Sequence, residues 1–208
     1  MPKLPLPPSV AVLASVLPAW KIVPTDSALF RVYFRGGPFP VTWNHLRYYG
    51  PTHARFDHHL PPARIQNRGI LYASDHPRTP LAEVFQVSRT IDARRDEPWL
   101  VGFRLSREIR LLDLTGLWPT RAGASMAIAS GLRSTARRWS STIYEAYSGA
   151  DGLWYGSSMH ANAPCVALYE RGASALPARP SFHRALADDT LRAFLETSAD
   201  LLGYRLIL

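Results

Sequence analysis

The segment PLAEVFQVS (80–88) carries one carboxylate, Glu83, at a position where a helix is predicted. At 3.6 residues per turn, Leu81, Val84 and Phe85 share one face, and Glu83 lies on the opposite side. Such a glutamate is either solvated or held in a cleft, where a carboxylate serves as an acid or base or stabilises positive charge. The helical pattern alone leaves both interpretations open.

The residues before Glu83 predict how it is presented. The apolar run GILYAS (69–74) indicates a strand, Thr79 is placed as a helix N-cap, and Pro80 takes the favoured first helical position. Glu83 lies one residue past the capping-box position, so capping does not explain it. The pattern predicts a strand–turn–helix unit that presents Tyr72 and Glu83.

The remaining elements are short and mixed. Apolar runs with partial alternation predict strands at 29–34, 69–74, 99–106, 109–114, 165–170 and 204–208. Helical spacing or caps predict helices at 9–17, 80–88, 134–147 and 188–203. Because strands and helices do not alternate regularly, the order favours an α+β domain over a doubly wound parallel sheet.

Composition is consistent with one folded domain. The chain has 208 residues, 47% of them hydrophobic, and carries a formal charge of +8. Only Lys3 and Lys21 are lysines, so 22 of the 24 basic residues are arginine. This excess suits planar recognition of phosphate or carboxylate, and it equally fits codon usage in a GC-rich genome.

Several reaction classes lack their motifs in this sequence. There is no P-loop, GxGxxG, HExxH, GxSxG or CxxC pair. The histidines and aspartates at 53–59 and 75–76 do not follow metal-site spacing, and we expect no metal. Cys165 lies in an apolar run and is predicted to be buried. The aromatic-rich interval 35–69 is predicted to be ordered and functional.

The apolar stretch SVAVLASVL (9–17) is too short to span a membrane. We interpret it as a packed N-terminal helix rather than as part of a signal peptide. The predicted location is the cytoplasm, with no membrane partner.

Four segments in order resemble the RES-domain family, NAD-consuming bacterial toxins named for Arg, Glu and Ser. They are LFRVYF, which contains Arg31; GPTHARFD, with Arg55; GILYASDHPRTPLAEVF, with Tyr72 and Glu83; and DGLWYGSSMHANAPCVALYE, with Ser157. The helical stretch before the serine is also similar. Ser158 leaves a one-residue ambiguity, and Ser157 is preferred because it follows Tyr155 by two residues.

The resemblance implies an ADP-ribosyltransferase-like fold, a split antiparallel β-sheet core with surrounding helices and the NAD cleft between its halves. It implies catalytic roles for Glu83, Arg55 and Tyr72, and NAD binding by Arg31, Arg55, Tyr72 and Ser157. Cleavage of the nicotinamide–ribose bond passes through an oxocarbenium-like centre, which a carboxylate stabilises. Each residue also has a plainer interpretation: an ion pair across the sheet for Arg31, packing for Tyr72 and a turn for Ser157.

The resemblance further implies a toxin that degrades NAD+ as glycohydrolase or phosphorylase, without a retained cofactor and with phosphate as a possible co-substrate. It implies inhibition by an Xre-type antitoxin that covers or plugs the active site. Residues 29–172 would form the catalytic core, with 1–28 an extension packed on it and 173–208 completing the domain. The alternatives are an ADP-ribosyltransferase acting on a protein and, more distantly, a basic nucleic-acid-binding protein, although direct nucleic-acid binding is not expected.

Overall fold

The computed structural model describes residues 4–208, so Lys3 and the start of the predicted N-terminal extension lie outside the described residues. The strands are β1 (Trp20–Val23), β2 (Ala28–Phe34), β3 (Arg47–Gly50), β4 (Arg64–Ser74), β5 (Thr90–Asp92), β6 (Pro98–Arg104), β7 (Ile109–Asp113), β8 (Gly152–Gly156), β9 (Pro164–Tyr169), β10 (Phe182–Ala185) and β11 (Arg205–Ile207). The α-helices are α1 (Val10–Ala14), α2 (Thr79–Val84), α3 (Trp118–Arg121), α4 (Arg133–Ala146) and α5 (Arg192–Leu202).

Within the described residues, nine strands form one sheet in the order β1-β7-β8-β9-β4-β2-β6-β10, with β3 paired to β4. Every pairing in this sheet is antiparallel except the one between β7 and β8. Strands β5 and β11 pair in parallel in a small separate sheet. A mostly antiparallel sheet with helices around it confirms the α+β prediction.

The large sheet is divided between β2 and β4. These strands share a single residue pair, Phe30 with Ser74, whereas β2 pairs with β6 from Ala28 to Phe34 and β4 pairs with β9 from Ile70 to Ser74. The two halves of the sheet therefore diverge on either side of one contact. That divergence opens a cleft beside the carboxyl end of β4, as the split-sheet prediction requires.

Both faces of the sheet are covered, which explains the continuous apolar runs. Along β9, Cys165, Ala167 and Tyr169 pack in one core cluster, and Val166 and Leu168 pack in another on the opposite face. Helix α4 covers the first face, where its Trp139 and Ile143 side chains are fully buried. A third cluster lies between α2, α5 and β6.

Some element predictions were wrong in extent. The strands β1, β3, β5, β8 and β10 were not predicted, because they are three to five residues long and several are bounded by glycine or proline. Helix α2 ends at Val84, four residues before the predicted end. Val84 was predicted to pack with Leu81 and Phe85, but it is 37% exposed. The interval 35–69 is ordered, as predicted, and contains β3 and the first half of β4.

The predicted N-cap at Thr79 was also wrong. Arg78 is the N-cap residue, without a capping side chain, and Thr79 is the first residue of the helix. The Thr79 hydroxyl is instead hydrogen-bonded to His160.

The helices of residues 4–208 are short. The longest, α4, has 14 residues, and none is long and apolar enough to cross a membrane.

Candidate active site

A cavity of about 360 Å³ lies at the division between the two halves of the sheet. Strands β2, β4, β8 and β9, helix α2, the loop 53–55 and the start of α4 all contribute to its wall. Its polar and charged lining side chains include Arg31, His53, Arg55, Tyr72, Glu83, Gln86, Arg133, Tyr155 and Ser158. The volume is in the range of small-molecule sites.

Glu83 is half-buried in this wall, so the cleft interpretation replaces the solvated one. The Ser157 hydroxyl donates a hydrogen bond to Glu83 Oε1 at 2.5 Å. The same Ser157 oxygen accepts the backbone N–H groups of Met159 at 3.1 Å and His160 at 3.0 Å. A charge-assisted hydrogen bond from a fixed donor holds the carboxylate in one orientation.

Arg31 projects from the middle of β2 into the cavity. Its Nη1 donates to the His45 carbonyl at 3.2 Å. Burial lowers the pKa of Arg31 to about 10, while the neighbouring Tyr33 acts in the opposite direction. Within residues 4–208 no carboxylate pairs with it, so the ion pair across the sheet is not present and the positive charge is left for a ligand.

Arg55 reaches the cavity from the loop between β3 and β4. Its Nη1 donates to the Gly131 carbonyl, just before α4, at 2.5 Å. Burial and the nearby Arg133 lower the pKa of Arg55, and Glu83 opposes this shift. The guanidinium therefore links two loops, and among residues 4–208 some of its N–H groups have no acceptor.

Tyr72 and Cys165 form the apolar floor of the cavity. Burial and the charge of Asp57 raise the pKa of Tyr72, so its hydroxyl stays protonated and can donate. Burial and Glu83 raise the pKa of Cys165, which is 2% exposed. The thiol is the buried small side chain that the sequence predicted, and its raised pKa disfavours a nucleophilic role.

Within the interval 53–59, Asp57 and His59 are paired with protein groups. The Asp57 carboxylate accepts both the Thr52 N–H at 2.6 Å and its hydroxyl at 2.7 Å, and it pairs with Arg47 and His59. Among residues 4–208, no group of three or more His, Cys, Asp or Glu side chains is arranged to hold a metal ion.

Comparison with known proteins places this geometry in a family. The family model described as the RES domain matches residues 28–191, which is 164 of 208 residues. The chain belongs to the RES-domain family. All five sequence-predicted site residues lie in the matched region, and α1, β1, α5 and β11 lie outside it.

A solved structure has a similar fold. A chain of the M. tuberculosis MbcT–MbcA toxin–antitoxin complex superposes with a TM-score of 0.55 at 12% sequence identity. The match covers 84% of this chain and 89% of that chain. At this identity the likeness concerns the fold. Among curated proteins no relative matches.

The structure brings four of the five predicted residues of this RES domain, Arg31, Arg55, Tyr72 and Glu83, into one cavity wall. The fifth, Ser157, is 1% exposed and contacts Glu83.

Ser158 differs from its neighbour Ser157, because its exposed side chain lines the cavity itself. The two serines thus occupy different places, one behind the carboxylate and one beside the open space.

Sequence reasoning missed Arg133 and Gln86. Arg133 belongs to the arginine-dense stretch RSTARRWSS (133–141), and its Nη2 donates to Gln86 Oε1 at 2.8 Å at the cavity wall. Gln86 in turn donates to the Glu83 carbonyl at 2.6 Å. No local pattern predicts this pairing, because Arg133 and Gln86 lie 47 positions apart in the sequence.

Proposed function

We propose that this RES-domain protein degrades NAD+ by breaking the bond between nicotinamide and ribose. The observation that carries the proposal is the Glu83 carboxylate, held by Ser157 in a cavity that also contains Arg31, Arg55 and Arg133. One oriented carboxylate among arginines suits a substrate with a cationic reacting centre and an anionic pyrophosphate.

The chemistry assigns a role to each side chain. The carbon–nitrogen bond breaks with its electron pair leaving on nicotinamide, and positive charge develops on the ribose carbon. Glu83 stabilises that charge and orients the incoming nucleophile, which bonds to the same carbon and loses its proton. Arg31 and Arg55 bind the pyrophosphate oxygens, and Tyr72 stacks on nicotinamide or donates near the ribose.

The Ser157 hydroxyl donates its hydrogen bond to Glu83. Its predicted role in binding NAD stays a prediction. We assign it first the orientation of the carboxylate, with Ser158 as the serine beside the bound substrate.

We propose that the protein is the toxin half of a toxin–antitoxin pair acting in the cytoplasm. Membership of the RES family supports this proposal, and so does a fold neighbour that comes from a toxin–antitoxin complex. The proposed partner is an antitoxin of the Xre type that covers the cavity mouth. No retained cofactor is needed, because NAD+ itself is the substrate.

The proposed organisation has a catalytic core at 29–172. Residues 1–28 would be an extension packed on it, consistent with the Tyr147 hydroxyl donating to the Leu13 carbonyl at 2.8 Å. Residues 173–208 would complete the domain through β10 on β6 and β11 on β5.

The test is to incubate purified protein with NAD+, with and without inorganic phosphate, and to measure nicotinamide release. Release without phosphate indicates a glycohydrolase, and release only with phosphate indicates a phosphorylase. Radiolabel from NAD+ on an added protein supports the alternative, an ADP-ribosyltransferase. Absence of nicotinamide release under all three conditions contradicts the proposal.

The nucleic-acid-binding alternative has a separate test. A non-specific binder of charge +8 would bind duplex DNA with an affinity that falls steeply with salt. We expect no such binding, because the arginines are spread along the chain rather than gathered on one helix face and the sequence has no nucleic-acid-binding motif.

A further inference from the structure

Helix α2 and the loop Ser157–Ala163 are joined by two side-chain contacts. The first is the hydrogen bond from Ser157 to Glu83. In the second, Thr79 Oγ1 and His160 Nδ1 share a hydrogen bond at 2.8 Å. Thr79 and Glu83 are four residues apart, so they lie on the same face of the helix, one turn from each other.

The loop itself closes the circuit between these contacts. Ser157 Oγ accepts the His160 backbone N–H at 3.0 Å. His160 therefore contacts Thr79 through its ring and Ser157 through its backbone, and Ser157 in turn contacts Glu83. The loop is a tight turn, with the Asn162 N–H donating to the Ser157 carbonyl at 3.1 Å and positive φ angles at Ala161 and Asn162. Glu83, Ser157, His160 and Thr79 therefore form a ring closed through one turn of α2.

The hydrogen bond between Thr79 and His160 is important for stability because Thr79 is buried. Thr79 is fully buried, and a buried hydroxyl without a partner costs free energy. The His160 ring also lies against His76, with ring centroids 5.5 Å apart. His160 is thus held on two sides, whereas α2 is only six residues long and has no capping side chain to fix its start.

We infer that Thr79 and His160 are positioning residues that set the distance between α2 and the Ser157 loop and so hold the Glu83 carboxylate at the cavity. Thr79 borders the cavity, but its side chain is fully buried and its hydroxyl is hydrogen-bonded to His160, so the inferred role is positioning and not contact with the substrate. The inference rests on the proposed function, since the consequence for turnover follows from the assigned role of Glu83.

The test compares Thr79→Val with Thr79→Ser. Valine keeps the shape and removes the hydroxyl, and we expect kcat for nicotinamide release to fall about ten- to a hundredfold with KM little changed. Thr79→Ser keeps a hydroxyl, and its kcat should stay close to that of wild type. The matched control is Thr197→Val on α5, which removes only a hydroxyl bonded within its own helix, to Ala193.

A second measurement does not depend on turnover. Hydrogen exchange at the Met159 and His160 amides should accelerate in Thr79→Val and stay unchanged in Thr197→Val, because the first variant loosens the ring. If the wild-type protein releases no nicotinamide, the proposed function fails and the exchange data still decide whether the ring exists. Unchanged exchange in Thr79→Val, or an equal loss of kcat in Thr79→Ser, overturns the inference.

Discussion

Glu83 shares its cavity with Arg31, Arg55 and Arg133, and within residues 4–208 none of the three forms an ion pair with a carboxylate. Burial lowers the pKa of Arg55, and repulsion from the nearby Arg133 lowers it further. A bound polyanion relieves that repulsion. This arrangement supports the proposed substrate, which brings a negatively charged pyrophosphate with it.

The first prediction concerns the fork of Arg55. In Arg55→Lys a single ammonium replaces a planar group that contacts Gly131 and still has donors to spare. We expect KM for NAD+ to rise about tenfold with a smaller change in kcat, because bidentate phosphate recognition is lost. Steady-state kinetics measure this, with the exposed Arg64→Lys as control. An unchanged KM would remove Arg55 from the substrate site.

The sequence predicted some residues of the cavity and missed others. Arg31, Arg55, Tyr72, Glu83 and Ser157 were predicted because each lies in a segment that resembles the RES family, and their roles stay predictions. Arg133 was not predicted, because its link to the cavity is a long-range hydrogen bond to Gln86. Thr79 was assigned to a cap because a threonine before Pro80 is typical of one, yet tertiary contact with His160 takes its hydroxyl instead.

At the scale of elements, β8 leads directly into the loop that begins with Ser157, and it lies between β7 and β9 in the sheet. The sequence did not predict β8, because Gly152 and Gly156 bound a run of only three larger residues. The structure explains why residue 152 is a glycine. A Cβ on it would lie 2.2 Å from the Ala167 carbonyl oxygen of the neighbouring strand.

The second prediction follows from that close approach. Gly152→Ala should lower the free energy of unfolding by about 1–3 kcal/mol, because β8 and β9 must separate to admit the methyl group. Urea denaturation measures the change. Gly116→Ala is the control, since its Cβ would come no closer than 3.8 Å to another atom. Equal stability of the two variants would show that β8 and β9 are not packed this tightly.

For the whole molecule, acidity should act through a half-buried carboxylate that ties the sheet to α4. Glu170 accepts the Tyr144 hydroxyl at 2.6 Å and the Gly69 N–H at 2.8 Å, and His58 lies nearby. Burial alone would raise the pKa of Glu170, but the nearby His58 and the hydrogen bonds from Tyr144 and Gly69 outweigh it and lower the pKa to about 2.

The third prediction is the pH dependence of this carboxylate's contribution. A lowered pKa in the folded state stabilises the protein above the unfolded value of 4.5, and the contribution is lost as pH falls from there towards 2. Glu170→Gln should therefore be less stable than wild type at pH 7, with the difference shrinking below pH 4.5. Thermal unfolding across pH measures it, and a difference independent of pH would contradict the assignment.

The α+β class was predictable at this scale because the strands and helices do not alternate in the sequence. The division of the sheet was not predictable from pattern, since it depends on a single pairing between Phe30 and Ser74. It came only from family resemblance. That division creates the cavity, so the location of the site is a property of the whole fold.

The most direct test of the central claim compares nicotinamide release from NAD+ by wild type, Glu83→Gln and Glu196→Gln. Glu83→Gln keeps the size of the side chain and removes the negative charge, whereas Glu196 is exposed on α5. The account predicts that wild type and Glu196→Gln release nicotinamide equally and that Glu83→Gln is slower by about a hundredfold or more. Release by Glu83→Gln at the wild-type rate would contradict it.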